Sequence, residues 1–269
     1  MQLKMMYQQK HISLFTILLL LTMSFNGMAG NHSRQLHISY PGIRSNAERD
    51  HAYSPLIFKG IQASFSIAYS VSKPQSSDLI MLNYAAGTIS NKWDHSMNVN
   101  TAGIQTYKFY HRNKDAGSGF HWGWSNNNEF NTREVIDLKN FNNRNEYFTS
   151  FGPAVRYKRS FDLFNRLFHM ESLAHVQLLG FKMQSSYVTS NPRGFEEPSH
   201  EGFDAFLNSI DLFYPGNAIN IGIYPALHYE LRSGTMLGIS YRYDYLKLQG
   251  AHTVEKSRGT WHIGISAAL

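Results

Sequence analysis

The 269-residue chain has no cysteine, so it can form neither a disulfide framework nor a lipidated cysteine anchor. Two units of its net charge of +6 come from Lys4 and Lys10, and the other basic residues are scattered, which excludes a nucleic-acid-binding stripe. Mean hydropathy is −0.36, and past the first thirty or so positions no stretch approaches the roughly 18 apolar residues of a transmembrane helix.

Lys4, Lys10 and His11 form a positive start, Ile12 to Phe25 an apolar core, and Gly27-Met28-Ala29 a small-residue cleavage site. This is a secretory leader, 1–29, with cleavage expected after Ala29. Residues 30–55 read as a polar periplasmic lead-in, with Leu36 to Tyr40 as a short first strand. Residues 56–269 read as one β-domain.

Gly60 to Val71 alternates cleanly, with Ile61, Ala63, Phe65, Ile67, Tyr69 and Val71 against Gln62, Ser64, Ser66, Ala68 and Ser70. A period of two marks a strand with one apolar face. A turn at 73–78, a strand from Leu79 to Ile89, a polar loop at 91–98 and a strand from Val99 to His111 follow. Phe120, Trp122 and Trp124 then share a face opposite His121, Gly123 and Ser125, and the Asn-rich stretch 126–145 reads as a loop. Tyr147 to Lys158 is a strand, 161–166 a turn, and Phe168 to Gly180 a strand. Within the irregular segment 187–216, Phe203, Phe206, Leu207 and Ile210 keep helical spacing and predict a short amphipathic helix. The hairpin Ile219 to Leu248 turns at Arg232-Ser233-Gly234-Thr235, 249–258 is polar, and Trp261 to Leu269 alternates again.

The hairpin arms put Ile219, Ile221, Ile223, Leu227 and Tyr229 on one face and Asn220, Gly222, His228 and Glu230 on the other. Arms of this length suffice for a tilted strand, which needs about 9–11 residues to cross a bilayer. An apolar outer face bounded by tyrosines and a polar inner face describe the wall of a transmembrane barrel. Connections after Val71, His111, Lys158 and Leu231 look short and those after Ile89, Trp124, Gly180 and Leu248 longer, as periplasmic turns and extracellular loops do. Clear strands plus Leu36 to Tyr40 predict a count of about ten, within about eight to twelve. The expectation is an all-β, antiparallel up-and-down transmembrane β-barrel, monomeric, in the cell outer membrane of a Gram-negative envelope. Its expected partners are outer-membrane lipids, lipopolysaccharide and the barrel-assembly machinery, with no nucleic acid. A soluble periplasmic lipocalin-like binder is the alternative.

The chain after the leader resembles the uncharacterised outer-membrane β-barrel proteins of Bacteroidetes-type bacteria. The resemblance rests on Gly119-Phe120-His121-Trp122-Gly123-Trp124, the segment 203–213, and the run 234–245 with its Tyr241-Arg242-Tyr243-Asp244 core. The last strand alternates as theirs does but ends on Leu269 rather than on an aromatic. This implies location and architecture, and no activity.

The inward parity gathers Arg156, Lys158, His169, Glu171, His175, His228, Glu230, Arg242 and Asp244. The plain reading is a narrow lumen filled with mutually neutralising charges, since a buried charge must be paired. A histidine-carboxylate site assembled across strands, or a narrow polar pore, are the sharper readings. No cofactor or metal is implied and no catalytic residue is assigned. A lipid-modifying hydrolase, of lipid A deacylase or phospholipase type, would need His-x-Ser on a strand, and His37-Ile38-Ser39 supplies that pair in the weakest strand. His121 and Ser125 share a face but lie roughly 13 Å apart along it. The expected function is a structural, binding or narrow-pore barrel with a charge-paired lumen.

Overall fold

A sheet whose strands each carry one apolar and one polar face leaves no unpaired edge only if it closes on itself. The computed structural model, which describes residues 33–51, 54–111, 118–136, 143–184, 210–249 and 253–269, does so. Its strands are β1 (Ser33–Asp50), β2 (Ser54–Ser72), β3 (Ser76–Ser90), β4 (Ser96–Tyr110), β5 (Gly119–Val135) and β6 (Asn143–Leu163). They continue with β7 (Arg166–Gln177), β8 (Leu179–Gln184), β9 (Ile210–Phe213), β10 (Ala218–Glu230), β11 (Met236–Leu248) and β12 (Val254–Ala268). Ten antiparallel strands form the wall, in the ring order β1-β2-β3-β4-β5-β6-β7-β10-β11-β12, and β12 pairs back onto β1. The two short strands extend one rim: β8 prolongs β7 along β6, and β9 pairs with β8.

The connections 73–75, 111–118, 164–165 and 231–235 lie at the same end as Ser33 and Ala268; we call this the short-turn end. The strand ends joined by 51–53, 91–95, 136–142, 185–209 and 249–253 lie at the other, the loop end. The expected alternation of lengths is blunter than the sequence suggested, because 51–53 is short and 111–118 is not. Only 185–209 stands apart.

Exposure decides which face meets lipid. Ile61 is 72%, Trp122 62% and Ile263 62% exposed, and these belong to a belt with Ile43, Trp124, Ile221, Ile223 and Trp261. The alternate positions, such as Gln62, Ser64, His121 and Thr260, are buried in the lumen. A soluble lipocalin-like binder would show the reverse. Aromatic pairs bound the belt toward the short-turn end: Tyr110–Trp122, Phe120–Tyr157 and Phe168–Tyr229, with ring centroids 5.3, 4.8 and 5.3 Å apart. Strands of up to 21 residues exceed the span of a bilayer, so the wall continues beyond it at the loop end. There the outer face turns polar, with Thr88 Oγ1 donating to Asn98 Oδ1 at 2.8 Å and Asn98 Nδ2 to Glu134 Oε2 at 3.4 Å. Arg in place of Ile223 or Ile263 is expected to cost about 2–4 kcal/mol of stability in vesicles, and Ser240→Arg, on the inner face, much less. Denaturant titration of refolded barrels reads both, and equal tolerance would reverse the orientation.

Four stretches differ from the sequence reading. Where the sequence predicts a lead-in with a short strand at Leu36 to Tyr40, Ser33–Asp50 is a full wall strand, paired with β2 and β12. A register shift between Ser39 and Gly42 turns Tyr40 and Pro41 both outward, so the alternation changes parity midway and is lost to pattern reading. The supposed loop 126–145 is largely strand, because β5 runs on to Val135. Both of its faces are polar there, Asn126, Asn128 and Thr132 outward and Asn127, Glu129, Asn131 and Arg133 inward, so hydropathy shows no period. The polar stretch 249–258 enters β12 at Val254 for the same reason, with Lys256 and Arg258 facing inward. The turn placed at 161–166 is tighter, at Phe164 and Asn165, both with positive φ (54° and 58°). The leader 1–29 and residues 203–209 of the helix predicted over Phe203 to Ile210 lie outside the described residues, while Ile210 itself opens the strand β9.

Candidate functional site

The lumen holds three layers of polar side chains. The layer nearest the loop end joins opposite walls, since β1 faces β6 and β5 faces β12 in the ring of ten. Arg133 on β5 reaches across to β1, with Nε 2.5 Å from Glu48 Oε1 and Nη1 3.2 Å from Asp50 Oδ2. Its Nη2 pairs with Glu146 on β6, which also takes Lys256 Nζ from β12 at 2.5 Å. The side chains of Arg133, Glu48, Glu146 and Lys256 are each 1% exposed. Arg258 on β12 donates from Nη1 to Glu129 Oε2 on β5 at 2.6 Å.

The middle layer is built around Asp244. Arg242 Nε donates to Asp244 Oδ2 at 2.6 Å, and the Tyr224 hydroxyl donates to Oδ1 at 2.6 Å. The Arg242 guanidinium lies 4.7 Å from the centre of the Tyr224 ring. From β4, Gln105 Nε2 donates to the Tyr224 oxygen at 3.2 Å, and the Tyr107 hydroxyl lies 3.2 Å from His175 Nδ1. Side chains from β4, β7, β10 and β11 thereby meet across the bore at a second level.

Below this floor a cavity of about 490 Å³ reaches the short-turn end, lined from Tyr224 and Arg242 outward to Ser33, Ser72 and Gly234. Arg156 and Glu171 form a bidentate pair on its wall, Nε to Oε1 and Nη2 to Oε2, both at 2.8 Å. His169 Nε2 lies 2.8 Å from Glu230 Oε2, and Ser160 Oγ lies 2.8 Å from His169 Nδ1. His228 meets His37 edge to face at 5.5 Å. Lys158 lines the same cavity.

All nine residues singled out by parity face inward, but they fall into two groups. Arg156, Lys158, His169, Glu171, His228 and Glu230 gather at the cavity, whereas His175, Arg242 and Asp244 belong to the floor. Among the described residues no group of three or more His, Asp or Glu side chains is placed to hold a metal ion. The His-x-Ser pair does form a contact: Ser39 Oγ lies 2.7 Å from His37 Nε2, and Ser266 Oγ 2.5 Å from Nδ1. Gly264 makes room for it, since a Cβ there would lie 2.7 Å from Ser39 Oγ. His121 and Ser125 do not meet; Ser125 Oγ donates to the Gly152 carbonyl and accepts from Gln177 Nε2.

The loop-end ion cluster, Glu48, Asp50, Glu129, Arg133, Glu146, Lys256 and Arg258, escaped the sequence reading. Extending the inward parity of β5 and β12 by a few residues would have reached Glu129, Arg133, Lys256 and Arg258, but nothing in the local pattern places them opposite Glu48, Asp50 and Glu146.

No family model matches the sequence, and no curated protein matches it. Among solved structures, the outer-membrane protease OmpT from Escherichia coli superposes with a TM-score of 0.53 at 7% identity, covering 90% of this chain and 98% of that one. Ail, the attachment invasion locus protein of Yersinia pestis, gives 0.37 at 7% identity, covering 89% and 100%. The β-domain of the Bordetella autotransporter BrkA gives 0.39 at 10% identity, covering 88% and 99%. At such identities the likeness to OmpT speaks for the fold alone. Taken with the closed ten-stranded wall and its exposed apolar belt, the chain is an outer-membrane β-barrel.

Proposed function

We propose that this barrel conducts no solute and instead offers a one-sided binding cavity to the periplasm. The assignment of the short-turn end to the periplasm follows the usual asymmetry of such barrels, whose long loops face outward. The observation that carries the reading is the Arg133 guanidinium, 1% exposed, which ties β5 to Glu48 and Asp50 on β1 across the bore. Fully buried side chains that pair across the bore support a lumen without a continuous water path. Toward the short-turn end the lining is half-exposed and of mixed charge, which suits a small polar solute better than a lipid chain.

Planar-bilayer recording of the refolded chain tests the closure. Wild type is expected to show no steady conductance, and Arg133→Ala combined with Arg242→Ala, which thins both layers that cross the bore, to open a small, ion-selective one. A steady wild-type conductance would make this a pore and overturn the reading.

A further inference from the structure

We propose that Ser160, His169 and Glu230 form a nucleophilic hydrolase site at the mouth of the cavity, acting on small carboxylic esters that carry a negative charge. The three residues come from adjacent strands. Ser160 on β6 stands opposite His169 on β7, which stands opposite His228 on β10, and Glu230 lies one side-chain repeat beyond His228. The Glu230 carboxylate can only accept, so His169 Nε2 carries the proton that it donates across 2.8 Å. That leaves the lone pair on Nδ1 facing the Ser160 hydroxyl, also at 2.8 Å. This tautomer is the one a general base needs, with the two ring nitrogens exchanged relative to the serine-protease arrangement.

Access and charge separate this set from the other polar clusters. Ser160 is exposed, and the side chains of His169 and Glu230 are 29% and 34% exposed. At His37, by contrast, both ring nitrogens are taken by serines, no carboxylate orients the ring, and Ser39 is 2% exposed. One side-chain repeat deeper on β6, Lys158 faces the same cavity. Its register partner is Glu171, but Arg156 holds that carboxylate with two hydrogen bonds. Lys158 has no hydrogen-bonded carboxylate of its own among the described residues, only the pull of Glu171 that it shares with Arg156, which leaves its donors for an anionic substituent of the substrate. A cavity of about 490 Å³ falls in the range that takes small organic ligands.

The reaction balances without a co-reactant other than water. Ser160 Oγ attacks the ester carbonyl carbon while its proton passes to His169 Nδ1, and Glu230 stabilises the imidazolium. The carbon–oxygen bond to the alcohol breaks, and the alcohol leaves with that proton. Water then attacks the acyl-Ser160 ester, giving a proton to His169 Nδ1; the bond to Oγ breaks, Ser160 recovers the proton, and the acid is released.

The test uses the full chain refolded into detergent micelles. A fluorophosphonate probe is followed by mass-spectrometric mapping, and turnover is compared on 4-nitrophenyl acetate and on the 4-nitrophenyl monoester of succinate. The expected results are an adduct on Ser160, and at least about 100-fold slower turnover in Ser160→Ala and His169→Gln. Lys158→Met is expected to raise KM for the succinate ester by about tenfold, the scale of one lost charge contact, and to raise it for the uncharged acetate by clearly less. Heat-modifiable gel mobility shows whether each variant is a folded barrel; the adduct map on wild type needs no variant. Absence of an adduct on Ser160, or wild-type turnover in folded Ser160→Ala, overturns the proposal. Release of fatty acid from phosphatidylglycerol vesicles without turnover of either soluble ester would also overturn it, in favour of a lipid substrate. The site rests on the proposed cavity but not on the closure of the bore, so conductance and adduct formation fail independently.

Discussion

Glu146→Gln is expected to destabilise the barrel by about 3–5 kcal/mol, because it leaves a buried cation without its counter-charge. Glu146 Oε2 accepts from Lys256 Nζ at 2.5 Å, and both side chains are 1% exposed. Lys256 has no other ion pair among the described residues, and the amide offers it a neutral carbonyl acceptor but no adjacent counter-charge to offset its desolvation. Lys256→Met in the same chain removes the stranded charge, so the double variant is expected to lose less than the two single losses added together. Urea unfolding in vesicles measures all three. A loss below about 1 kcal/mol for Glu146→Gln would mean a hydrated cluster, and the closed-bore reading would fall with it.

Asp244→Asn is expected to cost about 2–4 kcal/mol, the next largest loss, and on the same grounds. Asp244 accepts from Arg242 Nε at 2.6 Å and Nη2 at 3.3 Å, and from the Tyr224 hydroxyl at 2.6 Å. An asparagine keeps one carbonyl acceptor but turns its amide toward donors, and the Arg242 charge then sits at the centre of the barrel with the Tyr224 ring as its remaining support. Tyr224→Phe removes the hydrogen bond to Asp244 and the one accepted from Gln105 but leaves every charge in place, and is expected to cost less, about 1–2 kcal/mol. The two variants measured side by side separate charge from hydrogen bonding. Were the middle of the bore a water-filled channel, Asp244→Asn would hardly move stability and would shift ion selectivity instead.

The architecture was legible wherever one face of a strand was apolar. In Gly60 to Val71 and in Ile219 to Leu231 the isoleucines point into lipid and Ser, Asn and Gly into the bore, and even Tyr224 takes the inward face that its parity assigns. Parity is a local property, so the nine inward residues between Arg156 and Asp244 could be named from the chain alone, as could the Arg156–Glu171 neighbourhood across the turn at Phe164. Legibility ended where the wall leaves the hydrocarbon or shifts register. Asn126 to Val135 has two polar faces, and Ser33 to Asp50 changes parity at Tyr40 and Pro41, so neither stretch shows a period.

What lies opposite what was beyond the sequence. Closing ten strands into a ring makes β5 and β12 face each other, and so brings Arg258 to Glu129 across 129 positions of chain. The same closure, with the tilt of the strands, sets the height at which Arg133 finds Glu48, and separates the floor at Asp244 from the cavity below it. The sequence by itself determined which residues face inward, because a strand's period acts over two residues. Only the tertiary structure decided which inward residues meet, because that depends on strand number and register summed around the whole wall.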